Sequence, residues 1–439
     1  MAMRPRTYPW QRVTSSLVSL LLASAYSCQS ATIAAPMPEK SGLPPAAAIK
    51  DKVAPIKIGF VTSLSGVAAG SGRELLSGIQ LYLEQVHNQI AGRPVELIIE
   101  SDDSSQAIAK AKIHKLVSVD HIDLLDGILL ANIGYAVAPI VDEYKLPAVY
   151  AVSPGDELTK QKHFDWVVRT SWSASQPSNP FGDYAFKTLG YKRVVTFALD
   201  YPFGWEVAGG FQKSFEEAGG KVVQKLWAPI GMRDFEPLLR KIRKDADAVF
   251  VVTTVGAAPI FPKQYAQFGP RLPIIAGGTS FDESVLSRVG DEAVGAVSAH
   301  IYSAALDTPE NRKFVKAYRA KFNGIDPSCF AECGYTSGLW IGKAIESLKG
   351  KTDDKQKLLA ALKKVQLTDA PRGPLKLDDR ANPIENVYVR KVERVHGRLE
   401  NSVSHTFPNV SQFWKWNPEE TIKQPSYSPD YPPCKYCNQ

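Results

Sequence analysis

The sequence lacks the motifs by which enzymes of its size are usually recognised. It has seven histidines among 439 residues but no H-E-x-x-H pair, which excludes that zinc-protease signature. The glycines at 66, 70 and 72 match neither the dinucleotide fingerprint nor the phosphate loop. Residues 334–338 (GYTSG) imitate a nucleophile elbow, but they lie in a predicted helix, with Thr336 in place of the nucleophile. We interpret them as small helix-packing residues and predict no enzymatic activity and no cofactor.

Concentrated charge and long apolar runs are also missing. The formal net charge is +7, from 52 basic and 45 acidic residues, and no Lys or Arg block of the kind that follows nucleic-acid phosphates occurs. The stretch 13–25 is apolar but too short to span a bilayer. We therefore expect no nucleic-acid partner, and no membrane-spanning segment in the body of the protein.

The apolar stretch does have the features of an export signal. Arg4, Arg6 and Arg12 form a positive region before and at its start, and 23–25 (Ala-Ser-Ala) offers a small-x-small cleavage site. Residues 1–27 are therefore predicted to be a signal peptide. The protein is expected to work outside the cytoplasm.

A predicted linker follows the predicted signal peptide. Residues 28–54 are rich in Pro and Ala, show no periodicity and are predicted to be a flexible linker. Cys28 stands where a lipoprotein would be lipidated, although Tyr26 is bulky for a lipobox. Plain cleavage and a lipid anchor at Cys28 both stay open.

Cysteine is scarce. Apart from Cys28 there are four: Cys329, Cys333, Cys434 and Cys437. An even number in an oxidising compartment favours disulfides. The spacings C-x3-C and C-x2-C would also suit a zinc tetrathiolate, and free thiols are a third alternative. The compartment favours disulfides over a metal, and the sequence does not settle the pairing.

Strand and helix patterns alternate along most of the chain. Residues 56–62 (IKIGFVT) have the pattern of a buried strand, and an apolar face at helical spacing follows from 75 to 86. Repeated β-α-β alternation implies parallel sheets with helices on both faces, and the length suits two such sheets. The predicted fold is therefore α/β, with two doubly wound parallel-sheet lobes. From about 397 no periodicity remains, and we expect an extended tail over the surface.

Two loops at predicted strand ends are candidate binding segments. In open α/β sheets, ligands bind at the carboxyl ends of the strands. The run 200–204 (DYPFG) follows a strand and presents aromatic side chains that would suit a flat apolar solute, although core packing is the commoner role of aromatics. The turn 64–70 offers the Ser65 hydroxyl and backbone N–H groups at a helix start, which suit a small anion.

Several segments together resemble the type I periplasmic solute-binding proteins of ABC importers, in the leucine/isoleucine/valine-binding branch. The order and spacing of the segments carry this resemblance, which covers about residues 56–395 and does not include the cysteines. The segments are 56–81 (IKIGFVTSLSGVAAGSGRELLSGIQL), 91–104 (AGRPVELIIESDDS), 145–150 (KLPAVY), 168–171 (VRTS), 200–204 (DYPFG) and 371–374 (PRGP).

The resemblance implies two lobes that close on a solute by a hinge motion. Lobe 1 would comprise 55–172 and 303–369, lobe 2 would comprise 173–302 and 370–396, and 397–439 would be the tail. The three hinge crossovers are expected near 171–175, 303–306 and 369–372. A periplasmic receptor of this kind would be a monomer and would deliver its solute to a membrane ABC permease.

The resemblance also implies a ligand site at matching positions. The expected lobe 1 residues are Ser65, Ala69, Arg73, Ala131, Asn132, Ile133, Tyr150 and Ser153. The expected lobe 2 residues are an aromatic wall and a loop after the strand 273–276, namely Tyr201, Phe203, Gly278 and Thr279. Arg73 is an additional candidate for a ligand carboxylate, and a solvated helix-end arginine is its alternative interpretation.

One position departs from the family pattern. Amino-acid binders of the family place an acidic residue on the last loop to pair the ligand ammonium, and here Thr279 occupies that position. Asp282 could replace the acid only if the loop were shifted. Because an unpaired buried ammonium is costly, we expect a small organic carboxylate, an aromatic one in particular. A branched-chain amino-acid receptor and a ligand-sensing module of the same fold stay open as alternatives.

Overall fold

The structure, a computed structural model, describes residues 54–254 and 256–438. The predicted signal peptide, Cys28 and all of the predicted linker except Ala54 lie outside these residues. Within the described ranges, no helix is both long and apolar enough to cross a membrane.

The strands and helices follow the predicted alternation. In chain order the strands are β1 (Ile56–Thr62), β2 (Gln89–Ile90), β3 (Arg93–Ser101), β4 (Leu124–Gly127), β5 (Ala148–Tyr150), β6 (Val167–Arg169), β7 (Arg193–Asp200), β8 (Lys221–Pro229), β9 (Ala248–Val252), β10 (Ile274–Gly277), β11 (Val297–His300), β12 (Gln366–Leu367), β13 (Leu375–Leu377), β14 (Pro383–Val395) and β15 (Arg398–Val410). The helices are α1 (Ala69–Gln85), α2 (Gln106–Ser118), α3 (Ala131–Glu143), α4 (Ser178–Lys187), α5 (Pro202–Glu217), α6 (Glu236–Leu239), α7 (Phe261–Phe268), α8 (Glu283–Leu286), α9 (Pro309–Lys321), α10 (Cys329–Ser347), α11 (Lys355–Lys364) and α12 (Pro418–Thr421).

Lobe 1 is built on a six-stranded sheet in the order β2-β3-β1-β4-β5-β6. All of its strand pairs are parallel except β2 with β3. The central strands β1, β4 and β5 are almost entirely buried because helices pack on the sheet, as is usual for parallel sheets. Helices α1 to α3 and α9 to α11 complete the lobe.

Lobe 2 is built on the second sheet, which is parallel along β8-β7-β9-β10-β11. Strand β14 then pairs antiparallel with β11 at its centre, with β13 near its start and with β15 along its length. An aromatic core lies under the sheet, where the rings of Phe211 and Phe250 stack with their centroids 4.0 Å apart. The predicted class, two parallel-dominant α/β lobes, is confirmed, with an antiparallel edge in addition.

Side-chain caps begin several helices. The hydroxyl of Ser105 accepts a hydrogen bond from the third N–H of α2. Thr308, Ser328 and Asp354 cap α9, α10 and α11 in the same way.

The segment that imitates a nucleophile elbow packs two helices together. Gly334 of α10 lies against the backbone of α1, where an added Cβ would come within 2.0 Å of the carbonyl oxygen of Leu75. Gly78 of α1 lies equally close to α10, with Ala331 O at 1.9 Å from such a Cβ. The small residues therefore serve the close approach of α1 and α10, as interpreted from the sequence.

The chain passes between the lobes three times. The passages join β6 to α4 (170–177), β11 to α9 (301–308) and α11 to β13 (365–374), and the last of them includes the two-residue strand β12, which pairs with β13. The crossovers expected near 171–175, 303–306 and 369–372 lie in these connections, the last of them after β12 has joined the second sheet. The lobe bounds drawn from them stay a prediction.

The tail differs from the expectation at its start. Residues 398–410, expected to lack regular structure, form β15 and pair with β14 in a hairpin. Since β15 is an edge strand with mostly half-exposed or exposed side chains, its sequence carries no apolar period, and an edge tolerates Pro408. From 411 on, the chain runs over lobe 2 as a strap, anchored where Phe413 is buried and Trp416 donates to Glu217.

The four described cysteines form two pairs in different redox states. Cys434 and Cys437 form a disulfide at the end of the strap, whereas Cys329 and Cys333 are free and buried in α10. Burial raises the pKa of both free thiols well above the usual value, so they are poor nucleophiles. A framework of two disulfides, the favoured expectation, is therefore half right.

A fully buried arginine connects the lobes at the hinge. Arg372, in the third passage, donates to Glu332 of α10 at 2.7 Å and to Glu385 of β14 at 2.8 Å. It also donates to the carbonyl of Thr170 in the first passage. Burial raises the pKa of Glu385 to about 8, and the neighbouring Arg372 opposes that rise.

We predict that Arg372→Met lowers the free energy of unfolding by about 3–5 kcal/mol, because it leaves two buried carboxyl groups without their cation. Urea denaturation measures this loss. Arg312→Met is the matched control, since Arg312 forms an exposed pair with Asp307 and its loss should cost less than about 1 kcal/mol. Equal, small effects of the two substitutions would contradict the structural role of Arg372.

Candidate ligand-binding cleft

A narrow cavity lies between the lobes at the carboxyl ends of their strands. Its volume is about 30 Å³, which is room for about two waters, so a larger solute requires movement of its walls. Its lining is Leu129, Leu130, Ala131, Val152, Pro154 and Phe330 from lobe 1, Tyr201, Phe203, Thr254 and Thr279 from lobe 2, and Trp172 from the first passage.

The aromatic wall is built where β7 passes into α5. Pro202 takes the first position of α5, so the chain turns sharply after the strand. Tyr201 and Phe203 flank that proline, with ring centroids 6.1 Å apart. The hydroxyl of Tyr201 is 3.1 Å from that of Thr254, which follows the neighbouring strand β9. This hydrogen bond orients the phenol ring in the wall.

Hydrogen-bond donors reach the cavity from the start of α3. Ala131 is the first residue of α3, and its N-cap residue Leu130 has no side chain able to cap the helix. The first backbone N–H groups of a helix have no intrahelical partner and carry partial positive charge. Thr279 adds a buried hydroxyl with no hydrogen-bond partner among the described residues. These donors suit a carboxylate.

No charged side chain belongs to the lining of this cavity. Asp282, the candidate substitute for the missing acid, is buried but faces elsewhere. Its carboxylate accepts from the N–H of Cys329 at 3.0 Å and from the hydroxyl of Ser284 at 2.9 Å. It therefore caps α10 of lobe 1 and α8 of lobe 2, and so joins the lobes. No acid in the lining is placed to pair a ligand ammonium.

Four of the expected site residues meet in the cavity: Ala131, Tyr201, Phe203 and Thr279. Asn132 and Ile133 follow in the first turn of α3 and do not belong to the lining of the cavity.

Three expected residues lie behind the lining and support it. Ser153 donates to Leu130 O at 3.3 Å, and Tyr150 donates to Gly134 O at 3.4 Å, so both brace the start of α3. The carbonyl of Gly278 accepts from the buried Arg390 at 2.7 Å, which positions the Thr279 loop.

The structure does not bring Ser65, Ala69 and Arg73 to this cavity. The hydroxyl of Ser65 donates to Asp103 at 2.6 Å, and the guanidinium of Arg73 donates to Leu64 O at 3.2 Å. Both side chains are thus used in holding the first turn. An anion at this turn, as expected from the sequence, has no support from the geometry.

The sequence-based reasoning missed several lining residues. Thr254 follows β9 as Tyr201 follows β7, so the rule of strand carboxyl ends could have found it. Trp172 lies in a passage and Phe330 at the start of α10, and only the tertiary structure brings them to the cavity.

A second contact joins the lobes beside the cleft. Tyr135 of α3 donates to Glu206 of α5 at 2.6 Å. Glu206 is fully buried, and burial, with repulsion from Asp156, raises its pKa well above the usual range. The raised pKa means that the folded, closed arrangement favours the protonated carboxyl.

A family model described as periplasmic binding protein matches residues 55–397. The chain belongs to the periplasmic binding protein family. The resemblance inferred from the sequence is thereby confirmed. Among curated relatives, the Leu/Ile/Val-binding protein homolog 6 of Brucella abortus (strain 2308) is 30% identical over 362 residues, which are 80% of this chain and 91% of that protein.

Two solved solute-binding proteins of ABC transporters show the same fold with ligands. One, from Rhodopseudomonas palustris BisB5 in complex with 3,4-dihydroxy benzoic acid, is 31% identical with a TM-score of 0.77 and covers 81% of this chain and 98% of that chain. The other, from R. palustris in complex with benzoate, is 27% identical with a TM-score of 0.77 and covers 82% of this chain and 99% of that chain.

The raised pKa of Glu206 predicts a pH dependence of stability. Below the pKa of Glu206 in the unfolded chain, near 4.5, the contribution of Glu206 to the free energy of unfolding is fully present. It is lost as the pH rises toward the pKa of Glu206 in the folded protein. We expect Glu206→Gln to become progressively more stable than the wild type as the pH rises from 5 to 8, since glutamine does not ionise. Urea denaturation at several pH values measures the difference.

Glu143→Gln, an exposed substitution on α3, is the matched control and should keep a constant difference from the wild type over the same range. If the difference in free energy of unfolding between Glu206→Gln and the wild type is also constant over this pH range, Glu206 has the same pKa in the folded and unfolded states.

Proposed function

We propose that the protein is an extracytoplasmic receptor that captures a small aromatic carboxylate between its lobes and delivers it to an ABC permease. The observation that carries this proposal is the pairing, in one uncharged cavity, of an aromatic wall with the uncapped start of α3. The two R. palustris proteins described above, solved with benzoate and 3,4-dihydroxy benzoic acid, support the same ligand class.

The carboxylate would accept hydrogen bonds from the first N–H groups of α3 and from the hydroxyl of Thr279. A negative charge at a helix start gains up to about 2 kcal/mol when it is partly buried. Unlike an arginine, these donors are neutral groups fixed by the backbone, so the bound anion needs no partner charge. The ring would lie against Tyr201 and Phe203, with Trp172 and Phe330 on the lobe 1 side.

Capture would use the hinge. Since the cavity has room for about two waters only, a ring enters when the lobes separate about the three passages. As the lobes close again, the contacts between Asp282 and the Cys329 N–H and between Tyr135 and Glu206 would re-form beside a cavity whose walls have moved to hold the ring. A ligand that contacts both lobes binds the closed form better than the open one and so shifts the population toward it.

A branched-chain amino-acid receptor is the second candidate, favoured by the name of the Brucella relative. The composition of the cavity argues against it. An amino acid carries an ammonium group, which would lie among apolar side chains and hydroxyls with no carboxylate beside it. Burying a charge without a partner is costly, so aromatic acids fit this cavity better.

The proposal predicts selective thermal stabilisation of the purified protein. Benzoate at about 100 times its dissociation constant should raise the free energy of unfolding by roughly 2.7 kcal/mol. Methyl benzoate, which has the ring without the charge, and isoleucine, which adds an ammonium, should give much smaller shifts. A clear shift with isoleucine and none with any aromatic acid would overturn the proposed ligand class.

Thr279 should control the choice between the two ligand classes. Thr279→Asp places a carboxylate at the cavity, where it repels a ligand carboxylate and can pair an ammonium, so we expect loss of benzoate binding and a gain in isoleucine binding. Thr279→Val, the matched control, removes one hydroxyl and should weaken benzoate about 2- to 13-fold without any gain for isoleucine. Isothermal titration calorimetry measures both. If Thr279→Asp keeps the ligand selectivity of the wild type, Thr279 is not part of the binding site.

A further inference from the structure

A second, wider cavity of about 170 Å³, here named the outer chamber, lies next to the narrow cavity, and Thr254 belongs to the lining of both. Its walls come from both lobes: Gly66 and Val67 from lobe 1, and Ile230, Met232 and Arg233 on the opposite side. Arg233 is the one charged residue in its lining, and it is exposed.

Two apolar side chains face this chamber from opposite lobes and stay open to solvent. Val67 is 49% exposed and Ile230 is 46% exposed, which places both among the most exposed large apolar residues in the described part of the chain. A single exposed apolar residue is ordinary in a soluble protein. Two of them across one cavity, next to the narrow cavity, form an apolar surface suited to a ligand group.

The first turn is built to hold Val67 in this position. Gly66 has a φ of +77°, and a Cβ there would come within 2.7 Å of Asp103 O, so no other residue fits without strain. The bond from Ser65 to Asp103, and the bond from the N–H of Ala68 to the Ser104 hydroxyl at 3.2 Å, fix the turn on both sides of Val67. The glycine-rich turn thus presents an apolar side chain to the chamber.

We propose that the outer chamber is a second ligand subsite, which takes an apolar substituent on the far side of the aromatic ring from the carboxylate. This rests on the proposed function, because the carboxylate at the start of α3 fixes which end of the ring points toward Thr254. The favoured ligands are then aryl carboxylates with an alkyl or aryl group at the para position, longer than benzoate itself. Such a substituent contacts Val67 and Ile230 together and therefore both lobes.

The test is calorimetric titration of the full chain with benzoate, 4-methylbenzoate, 4-ethylbenzoate and 4-butylbenzoate. Each methylene buried in the chamber should tighten binding by about fourfold, the equivalent of about 0.8 kcal/mol. Ile230→Asn and Val67→Asn should flatten this series and leave the affinity for benzoate unchanged. Val119→Asn, at an apolar residue 65% exposed and outside the chamber lining, is the matched control and should keep the wild-type series.

The possible results distinguish a failure of the proposed subsite from a failure of the proposed function. If benzoate binds but longer substituents bring no gain, the subsite is wrong and the proposed function stands. If the gain persists in both chamber variants, the substituent lies elsewhere and the subsite is again wrong. If no aryl carboxylate of the series binds, the proposed function fails and the subsite falls with it.

Discussion

Arg372 is a cation withdrawn completely from water, and its contacts define how the two lobes meet. It binds Glu332 of lobe 1, Glu385 of lobe 2 and the carbonyl of Thr170 in the first passage. In a medium of low polarity such contacts tolerate little displacement, because removing one partner leaves the others uncompensated. Arg372 therefore links the two lobes and the first passage through buried polar contacts.

Other buried contacts fix the positions of the segments that line the cleft. Buried Arg390 holds the carbonyl of Gly278 and with it the Thr279 loop, while Ser153 braces Leu130 at the start of α3. The start of α3 and the rings of Tyr201 and Phe203 belong to the lining of one cavity, and that lining has no charged side chain. In the proposed function, the missing acid makes the cavity selective for a carboxylate over an amino acid. A carboxylate finds donors there, whereas an ammonium finds no acid, since Asp282 is occupied in capping two helices.

The periodicity of strands and helices was enough to predict the two α/β lobes, because each buried strand and each amphipathic helix leaves its own local pattern. The strand-end rule and the family resemblance predicted Tyr201, Phe203, Ala131 and Thr279. Ser65 and Arg73 stay predictions that this cavity does not include, since the Ser65 hydroxyl donates to Asp103 and the Arg73 guanidinium donates to Leu64 O, contacts that no spacing reveals. Strand β15 was missed because edge pairing leaves no apolar alternation, and Phe330 because it reaches the cleft from a distant helix.

The most direct test of the account is a crystal structure of the protein with benzoate bound. We expect the carboxylate within hydrogen-bond distance of the backbone N–H groups at 131–133 and of the Thr279 hydroxyl, with the ring against Tyr201 and Phe203. A carboxylate paired instead with Arg73 or another basic side chain, or a ring bound outside the cleft, would contradict it.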